Sequence, residues 1–375
     1  MVYRILHFAD LHLDASFAGQ GFPVEYGIER RLGLRATFTS LLALAREYKV
    51  DAVTIGGDLF VQEYLSPETV HFIQQQLTSL APIRVIISPG EHDPYANVSP
   101  YARLNWPDHV DIFYQSKLTR LELAEGISLW GASNPPARGQ KVLDHVQLGA
   151  GINLLLLHAS RSRQGSSIHT ISSESVQKCG FQLALLGGEH GGEAWKERPL
   201  CIVPGSPEPL TPGEETALHR AVLVEIDGQH VQATPIGNPR WHYRTVHVDI
   251  TSCISNSEAA RRIATSLESE TAKTPQAAVT VVLEGWPHFD LNISELRGLI
   301  QSAAFFRLDC HLQSGYDLEK LVQERTVRGL FVQRSLEKIN NTRDESERQR
   351  LLTALHFALK ALEGKQVSLY EVKEN

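Results

Sequence analysis

Short apolar runs alternate with stretches of helical periodicity through residues 1 to about 245. The runs with the length and composition of buried strands are ILHFA, AVTIG, IRVIIS, INLLLL and FQLALL. The positions that share one helical face before the second run are Leu34, Phe38, Leu41, Leu42 and Ala45. A further helix is expected after Ser66, a favourable N-cap residue, with Pro67 at its first position. This alternation predicts an α/β fold.

The pattern changes after His190 and again after about residue 245. The β-like runs PLCIVPGS, RAVLVEID and HVQATPI predict a second sheet that packs on the first. GNPRWHY, at 237–243, is interpreted as a linker to a smaller α/β unit with a helix near Ser257–Leu267 and the strands VTVVLEG and FFRLDCHL. From about Asp317 the pattern is helical, with a leucine stripe at Leu351, Leu352, Leu355, Leu359 and Leu362. The stripe either packs within its own domain or binds a partner.

Composition narrows the class of protein. The chain has 375 residues, of which 42% are hydrophobic and 21% charged, as expected of a globular protein with two or three domains. No apolar run is long enough for a membrane span, and a first strand from about Tyr3 leaves no room for a signal peptide. The four cysteines are scattered, which indicates neither a zinc knuckle nor a disulfide framework. We therefore expect a cytoplasmic protein.

The charge balance opposes nucleic-acid binding through bulk charge. The net charge is −7, from 43 acidic and 36 basic residues. Local basic residues remain candidates for contact with phosphate, and Arg161 and Arg163 stand three and five residues after His158. The alternative is that these arginines belong to a solvated surface.

Aspartate and histidine residues follow each of the five strand-like runs of the first region. They are Asp10 and His12, Asp58, His92 and Asp93, His158, and His190. In layered α/β folds, ligands gather outside the carboxyl ends of the strands. Five strand ends that deliver these side chains to one edge predict a site for two metals. Two metals about 3.5–4 Å apart are a common device for cleaving phosphate esters.

The same stretches resemble a known superfamily. FADLHLDASF, DAVTIGGDLF, SPGEHDPY, LLLLHAS, LLGGEH and IVPGSPEPL are similar to the motifs of calcineurin-like metallophosphoesterases. Within these, they most resemble the SbcD-type DNA-repair exonucleases and their YhaO-like branch, and the C-terminal GLFVQRSLEKI and LHFALKALEGKQV do so too. The resemblance implies a two-sheet sandwich flanked by helices at 1–245. It further implies a small α/β DNA-capping domain at 246–316 and a helical ATPase-binding region at 317–375.

The resemblance also implies a role for each residue that matches a family motif. Asp10, His12 and His190 would hold the first metal. Asp58 would bridge the two metals, and His158 would hold the second. The bound metals would activate water near neutral pH, as two-metal hydrolases do.

Two further motif residues would act beside the metals. His92 would face the scissile phosphate and stabilise charge or protonate the leaving oxygen. Asp93 would orient His92, as a carboxylate fixes the tautomer of an imidazole.

The sequence departs from the family pattern at two positions around the second metal. Glu91 stands where the G-N-H-D motif has a ligating asparagine, and Gly188 stands where the G-H-x-H motif has a ligating histidine. The second metal would keep Asp58, Glu91 and His158, a harder ligand set that suits manganese or magnesium. The carboxylates that could instead reach into the gap are Glu189 and Glu193. A third interpretation is that the second site has decayed and binds metal weakly.

The resemblance therefore implies a manganese-dependent DNA nuclease, acting as an exonuclease or endonuclease in DNA repair or in defence against foreign DNA. The resemblance implies a homodimer formed through N-terminal helices and a coiled-coil ABC ATPase partner of the SbcC kind. One alternative is a catalytically weakened DNA-binding scaffold of such a complex. Another is a small-molecule phosphodiesterase, although a C-terminal extension of about 130 residues argues against a small substrate.

Overall fold

The computed structural model describes residues 2–133, 142–143, 146–161, 170–195, 201–251, 253–285, 287, 289, 291–312, 316, 318–342 and 344–364. Two compact units are present. The first comprises Met1–Arg244, Glu270–Thr280 and Ala304–Arg307, and the second comprises Thr245–Ser269, Val281–Ala303 and Leu308–Asn375. The division into domains at 1–245, 246–316 and 317–375 stays a prediction.

Strands and helices alternate along the chain. The strands are β1 (Tyr3–Phe8), β2 (Ala52–Ile55), β3 (Arg84–Ile87), β4 (Val110–Ile112), β5 (Thr119–Ala124), β6 (Ile127–Gly131), β7 (Ile152–His158), β8 (Leu183–Gly187), β9 (Cys201–Ile202), β10 (Ala221–Asp227), β11 (His230–Ile236), β12 (His242–Asp249), β13 (Ala277–Gly285) and β14 (Phe305–Leu312). The helices are α1 (Val24–Glu47), α2 (Pro67–Ser79), α3 (Pro100–Arg103), α4 (Ser173–Cys179), α5 (Asn256–Lys273), α6 (Ile293–Leu299), α7 (Leu318–Val322), α8 (Val327–Asn341) and α9 (Glu345–Leu362). The α/β prediction is confirmed.

The first sheet has the strand order β11-β10-β1-β2-β3-β4. Strands β1 to β4 are parallel, and β10 pairs antiparallel with the other side of β1. Helix α2 begins as expected, because Ser66 Oγ accepts a hydrogen bond from the backbone N–H of Thr69 at 3.2 Å. The parallel arrangement places the carboxyl ends of β1, β2 and β3 at one edge.

The second sheet has the order β5-β6-β7-β8-β9, and β6 to β9 are parallel. The prediction of a second sheet after His190 is therefore wrong in its members. RAVLVEID and HVQATPI form β10 and β11 of the first sheet, and only Cys201–Ile202 of that region joins the second. The free side of β1 takes up the β10–β11 hairpin, a long-range pairing that local periodicity cannot indicate.

The two sheets pack face to face in the first unit. Successive side chains of a strand point to opposite faces, so the strands of the first sheet contribute to two separate cores. On one face of the first sheet, Leu6 and Ile55 share a core with Phe38 of α1. On the other face, Ile5 shares a second core with Leu154 of β7. Helix α1 and the second sheet thus cover the two faces of the strands that lead into the candidate site.

The segment interpreted as a linker is part of the first core. Trp241 is 8% exposed and Tyr243 is 2% exposed, and both pack near the ring of Tyr26. The sequence GNPRWHY is mostly polar, and only its two aromatic residues, Trp241 and Tyr243, pack in the core. The sequence pattern therefore did not indicate this burial. The linker interpretation is therefore wrong.

The second unit contains the C-terminal helices. Leu355 and Leu359 of α9 are buried against Val332 and Ile339 of α8. This supports the interpretation in which the leucine stripe packs within its own domain, although Leu362 stays 54% exposed. Among the described helices, none combines the length and apolar character that crossing a membrane requires.

Candidate metal centre

The loops after β1 and β2 run side by side and carry three of the predicted ligands. The N–H of Asp10 donates to the carbonyl of Gly57 at 3.0 Å, and the N–H of His12 donates to that of Asp58 at 2.9 Å. Asp10, His12 and Asp58 have φ values of 55°, 51° and 52°. Positive φ is unusual for residues other than glycine and concentrates at functional sites. The backbone is thus held in a costly conformation that turns these side chains to the sheet edge.

The site contains three groups of side chains, and within each group the possible ligand atoms all lie within 4.8 Å of one another. We call Asp10, His12 and His190 the first cluster; Asp10, Asp58 and His158 the second; and His12, Asp58 and His92 the third. Six of the predicted site residues are therefore brought together from five strand ends. Their metal-binding roles stay predictions.

The first cluster contains two imidazole nitrogens in close approach. Nε2 of His190 lies 3.1 Å from Nε2 of His12. Nδ1 of His190 lies 3.1 Å from Oε1 of Glu214, and a carboxylate can only accept, so the ring nitrogen donates. The neutral ring then has its lone pair on Nε2. Two such nitrogens facing each other need a proton or a cation between them.

One carboxylate oxygen of Asp58 lies between the imidazoles of His12 and His158. Its Oδ2 is 3.6 Å from Nε2 of His12 and 3.5 Å from Nε2 of His158. Its Oδ1 accepts a hydrogen bond from the backbone N–H of His92 at 2.8 Å. This placement fits the predicted role of Asp58 as a ligand that two cations would share.

His158 provides the test of whether the residues fit a metal. Its Nδ1 donates to the carbonyl of Gly56 at 2.9 Å, which leaves Nε2 with the lone pair. That Nε2 is buried and has no hydrogen-bond partner among the described residues. A buried nitrogen left unpaired costs about 1–3 kcal/mol. A cation between His158 and Asp58 would satisfy it, so the donor set fits a metal.

Glycine is required beside His158. A Cβ atom on Gly57 would lie 2.6 Å from Nδ1 of His158 and 2.9 Å from the backbone nitrogen of Gly90. Any side chain at position 57 would therefore displace the imidazole or the neighbouring loop.

The buried carboxylates of the centre also favour the binding of positive charge. Asp10 and Asp58 are 1% and 2% exposed. Burial, reinforced by the charge of Asp58, raises the pKa of Asp10 to about 6. Burial and the neighbouring imidazoles hold the pKa of His12 well below its usual range, so its ring is neutral, the form that binds metals. Buried carboxylates in this number are stable as anions only beside cations.

The two other histidines have raised pKa values. Burial alone would lower the pKa of His158, but the charges of Asp58 and Asp10 raise it overall. Burial would likewise lower the pKa of His190, but its hydrogen bond to Glu214 and the charge of Asp10 raise it. Both imidazoles thus sit in a negative field that would equally stabilise a cation.

Asp93 supports the backbone rather than the ring of His92. It is fully buried, and its carboxylate accepts from the N–H groups of Asp58, Leu59 and Gly90 at 2.9, 2.8 and 2.6 Å and from Tyr101 Oη at 2.7 Å. A carboxylate has about four acceptor positions, and these bonds use them. We therefore correct the predicted contact: Asp93 anchors the Asp58 loop. Burial and the charge of Asp58 raise its pKa to about 7.

His92 and Glu91 lie at the open side of the site. The side chain of His92 is 48% exposed, and its ring packs edge-on against that of His12 with the centroids 5.0 Å apart. The Glu91 side chain is 39% exposed, and its Oε1 is 3.9 Å from Nε2 of His92. Glu91 belongs to none of the three clusters. Its predicted role as a ligand of the second metal stays a prediction without geometric support.

The loop after β8 explains why the other carboxylates do not fill the gap at Gly188. Glu189 accepts from Ser160 Oγ and from the N–H of Arg161, both at 2.6 Å. Glu193 forms an ion pair with the guanidinium of Arg161. Both carboxylates are thus committed to the loop after β7, and neither belongs to a cluster.

The predicted contact of arginines with DNA phosphate has a competing partner. The guanidinium of Arg161 is shared between Glu193 and Ser173 Oγ, the latter at 3.0 Å. Arg161 therefore has a structural role, and its contact with phosphate stays a prediction. Arg163 lies outside the described residues.

Glu214 is a site residue that sequence reasoning missed. It lies at the end of the 3-10 turn Pro212–Glu214, four residues after the IVPGSPEPL motif and outside the strand-end motifs that supply the ligands, and its side chain is 13% exposed. Burial would raise its pKa, but the hydrogen bond and charge of His190 lower it overall. The pattern T-x-x-E at 211–214 indicates a turn, but nothing in it points to His190.

The comparison with protein families agrees with this geometry. Residues 3–228 match the calcineurin-like phosphoesterase family. The chain belongs to this family. Its members are metal-dependent hydrolases with dinuclear metal centres. No curated protein matches the chain.

Several solved structures resemble the chain at low identity. The TT1561 protein of Thermus thermophilus is 14% identical, with a TM-score of 0.37, and the match covers 63% of this chain and 99% of that one. A dimetal phosphatase from Danio rerio is 13% identical, with a TM-score of 0.38 and coverage of 63% and 98%. The purple acid phosphatase PPD1 from yellow lupin (Lupinus luteus) seeds is 12% identical, with a TM-score of 0.36 and coverage of 64% and 54%.

Proposed function

We propose that this calcineurin-like phosphoesterase is a metal-dependent DNA nuclease that hydrolyses phosphodiester bonds. The observation that carries the hydrolytic part is the place of Asp58 Oδ2, 3.6 and 3.5 Å from ring nitrogens of His12 and His158. Two bound cations would supply an activated water and neutralise charge on a phosphate. Manganese suits this mixed set of carboxylates and imidazoles, and magnesium is the alternative.

The protein's own residues would divide the remaining tasks. Asp93 and Tyr101 hold the backbone that carries Asp58. His92 has its N–H bound to Asp58 and its ring 48% exposed. The ring can therefore meet a phosphate that enters from solvent and give a proton to the leaving oxygen.

The proposed nucleic-acid substrate is supported by exposed aromatic rings in the segments that follow β2 and β4. Tyr64 follows β2 and is 51% exposed, and Tyr114 follows β4 and is 62% exposed. The ring of Tyr114 lies 5.9 Å from that of Tyr95, three positions after His92. Aromatic rings beside a phosphate-binding centre can stack nucleobases without sequence preference.

The proposed partners are supported by apolar side chains left exposed on helices. On α1, Val24 and Ile28 are 81% and 49% exposed at a four-residue spacing, which a homodimer could cover. In the second unit, Val327 and Leu330 of α8 are 82% and 56% exposed. We propose that a coiled-coil ABC ATPase of the SbcC kind binds there.

A catalytically weakened DNA-binding scaffold is the second candidate. The observations that favour it are the glycine at position 188 and the place of Glu91 outside the clusters. A small-molecule phosphodiesterase is the third, since the metal centre alone does not specify the size of the substrate.

One assay separates the three candidates. The full chain is incubated with linear duplex DNA, with a chromogenic phosphodiester and with a cyclic nucleotide, each with Mn²⁺ and with Mg²⁺. A nuclease degrades the duplex in Mn²⁺, and Asp58→Asn does not. Duplex binding without cleavage of any substrate would support the scaffold, and turnover of only the small esters would support the third candidate.

A further inference from the structure

The carboxylate of Glu214 connects a tight turn to the ring of His190. Its Oε1 accepts from His190 Nδ1 at 3.1 Å and from Thr211 Oγ1 at 3.0 Å. Its Oε2 accepts from the backbone N–H of Leu210 at 2.8 Å. Three donors thus hold a side chain that is only 13% exposed, so the carboxylate has a single orientation.

This orientation determines which nitrogen of His190 faces the first cluster. Because Nδ1–H donates to Glu214, the lone pair lies on Nε2, which points towards His12 Nε2 at 3.1 Å. The other tautomer would turn an N–H towards His12, and a flipped ring would turn a C–H towards it, so either change would exclude a cation.

The backbone of the same loop holds His190 from its other end. The carbonyl of His190 accepts from the N–H of Ser206 at 2.9 Å. His219 lies behind this loop, with Nδ1 3.0 Å from the Ser206 carbonyl and Nε2 3.3 Å from the carbonyl of Glu214. The segment around 206–219 therefore fixes both the main chain and the ring of His190.

His190 is the only residue of the β8 loop, within its described part, that joins a cluster. The orientation of its ring therefore decides whether that loop contributes a ligand to the first cluster.

We propose that Glu214 is a positioning residue that fixes the tautomer and orientation of His190 for binding a divalent cation in the first cluster. The proposal rests on the metal-dependent function proposed above. The competing explanation is local, namely that Glu214 only caps the turn that begins at Thr211.

The variants Glu214→Ala, Glu214→Gln and Thr211→Val separate the two explanations. Mn²⁺ binding to the full chain is followed by isothermal titration calorimetry. Losing the partner of a metal-bound histidine costs roughly 10–100-fold in affinity, which we expect for Glu214→Ala. Glu214→Gln keeps an acceptor oxygen and should restore much of the loss. Thr211→Val removes one of the three donors to Glu214 and leaves those from His190 and Leu210, so it should bind like the wild type.

A second measurement needs no metal. In ¹⁵N-histidine spectra of the metal-free protein, His190 should show the Nδ1–H tautomer in the wild type and in Thr211→Val, and a mixture in Glu214→Ala. If Glu214→Ala cannot be purified folded, the same signals are read in Glu214→Gln. A partial shift away from the Nδ1–H tautomer then supports the proposal, and an unchanged tautomer together with unchanged affinity contradicts it.

Two results would overturn the proposal. One is an unchanged tautomer and affinity when Glu214 is replaced, and the other is an equal loss in Thr211→Val. If the wild type binds no Mn²⁺, the proposed function fails, while the tautomer of His190 still decides the role of Glu214.

Discussion

Acid should destabilise this protein partly through His7, a histidine outside the metal centre. His7 lies on β1 and is fully buried between the two sheets. Its Nε2 donates to the carbonyl of Leu186 on β8 at 3.3 Å, and its Nδ1 lies 3.1 Å from Thr54 Oγ1 on β2. Burial, opposed by these hydrogen bonds, lowers the pKa of His7 from 6.5 to about 4.

The size of the effect follows from the two pKa values. Above pH 6.5 His7 is neutral in both states and the full stability is present; as the pH falls towards about 4, only the unfolded chain takes up the proton. At about 1.36 kcal/mol per pH unit, the limiting loss is about 3.4 kcal/mol. Between about pH 7.5 and about pH 5 the loss from this residue is about 2 kcal/mol.

The substitution His7→Gln tests this value, because glutamine can donate to Leu186 and accept from Thr54 without titrating. Urea unfolding is followed by tryptophan fluorescence with chelator present, at both ends of that pH range. The wild type should lose about 2 kcal/mol more than the variant on acidification. The exposed His71, replaced by glutamine, is the control and should behave like the wild type. An equal pH dependence in wild type and His7→Gln would refute the reasoning.

Four further outcomes are expected. Asp58→Asn should abolish Mn²⁺ binding in calorimetry as well as cleavage, because a neutral amide cannot balance two cations. His92→Ala should keep Mn²⁺ binding and lose 10²–10⁴-fold in kcat, as the removal of a general acid does. Gly188→His should give no gain in Mn²⁺-dependent cleavage and should lower stability by about 1 kcal/mol or more, because φ at this position is 99°. Val327→Asp combined with Leu330→Asp should prevent co-purification with an SbcC-like ATPase and leave the melting temperature unchanged, because both side chains are exposed.

The elements with strong local signals were predictable. The five apolar runs became β1, β2, β3, β7 and β8, and Ser66 caps α2 as expected. The strands that form the second sheet were not predictable. The apolar patterns of β5 and β6 are weaker, and the position of the β10–β11 hairpin depends on long-range pairing with β1. The segment with Trp241 and Tyr243 was misread because the burial of two aromatic residues in a polar segment leaves no periodic signal.

The candidate site was predictable to the extent that it follows strand ends. All six residues of the three clusters came from motifs at those positions. The contacts that hold these six residues could not be predicted from the motifs. Asp93 accepts a hydrogen bond from the backbone N–H of Asp58, and Glu214 binds His190 although it is 24 residues away in the sequence. Such contacts depend on loop geometry, which spacing along the sequence does not encode.

The second cluster, with the Nε2 of His158 unpaired among the described residues, favours the proposal of an adapted rather than a decayed second site. The backbone N–H of Gly188 donates to both carboxylate oxygens of Asp10, at 3.0 and 2.9 Å, and Asp10 belongs to the first and second clusters alike. The second cluster thus has two carboxylates and one imidazole, a harder and more negative set than the first. In a decayed site, the buried Nε2 of His158 would have no reason to stay unpaired at a cost of about 1–3 kcal/mol. Its persistence is explained if a hard divalent cation is the missing partner.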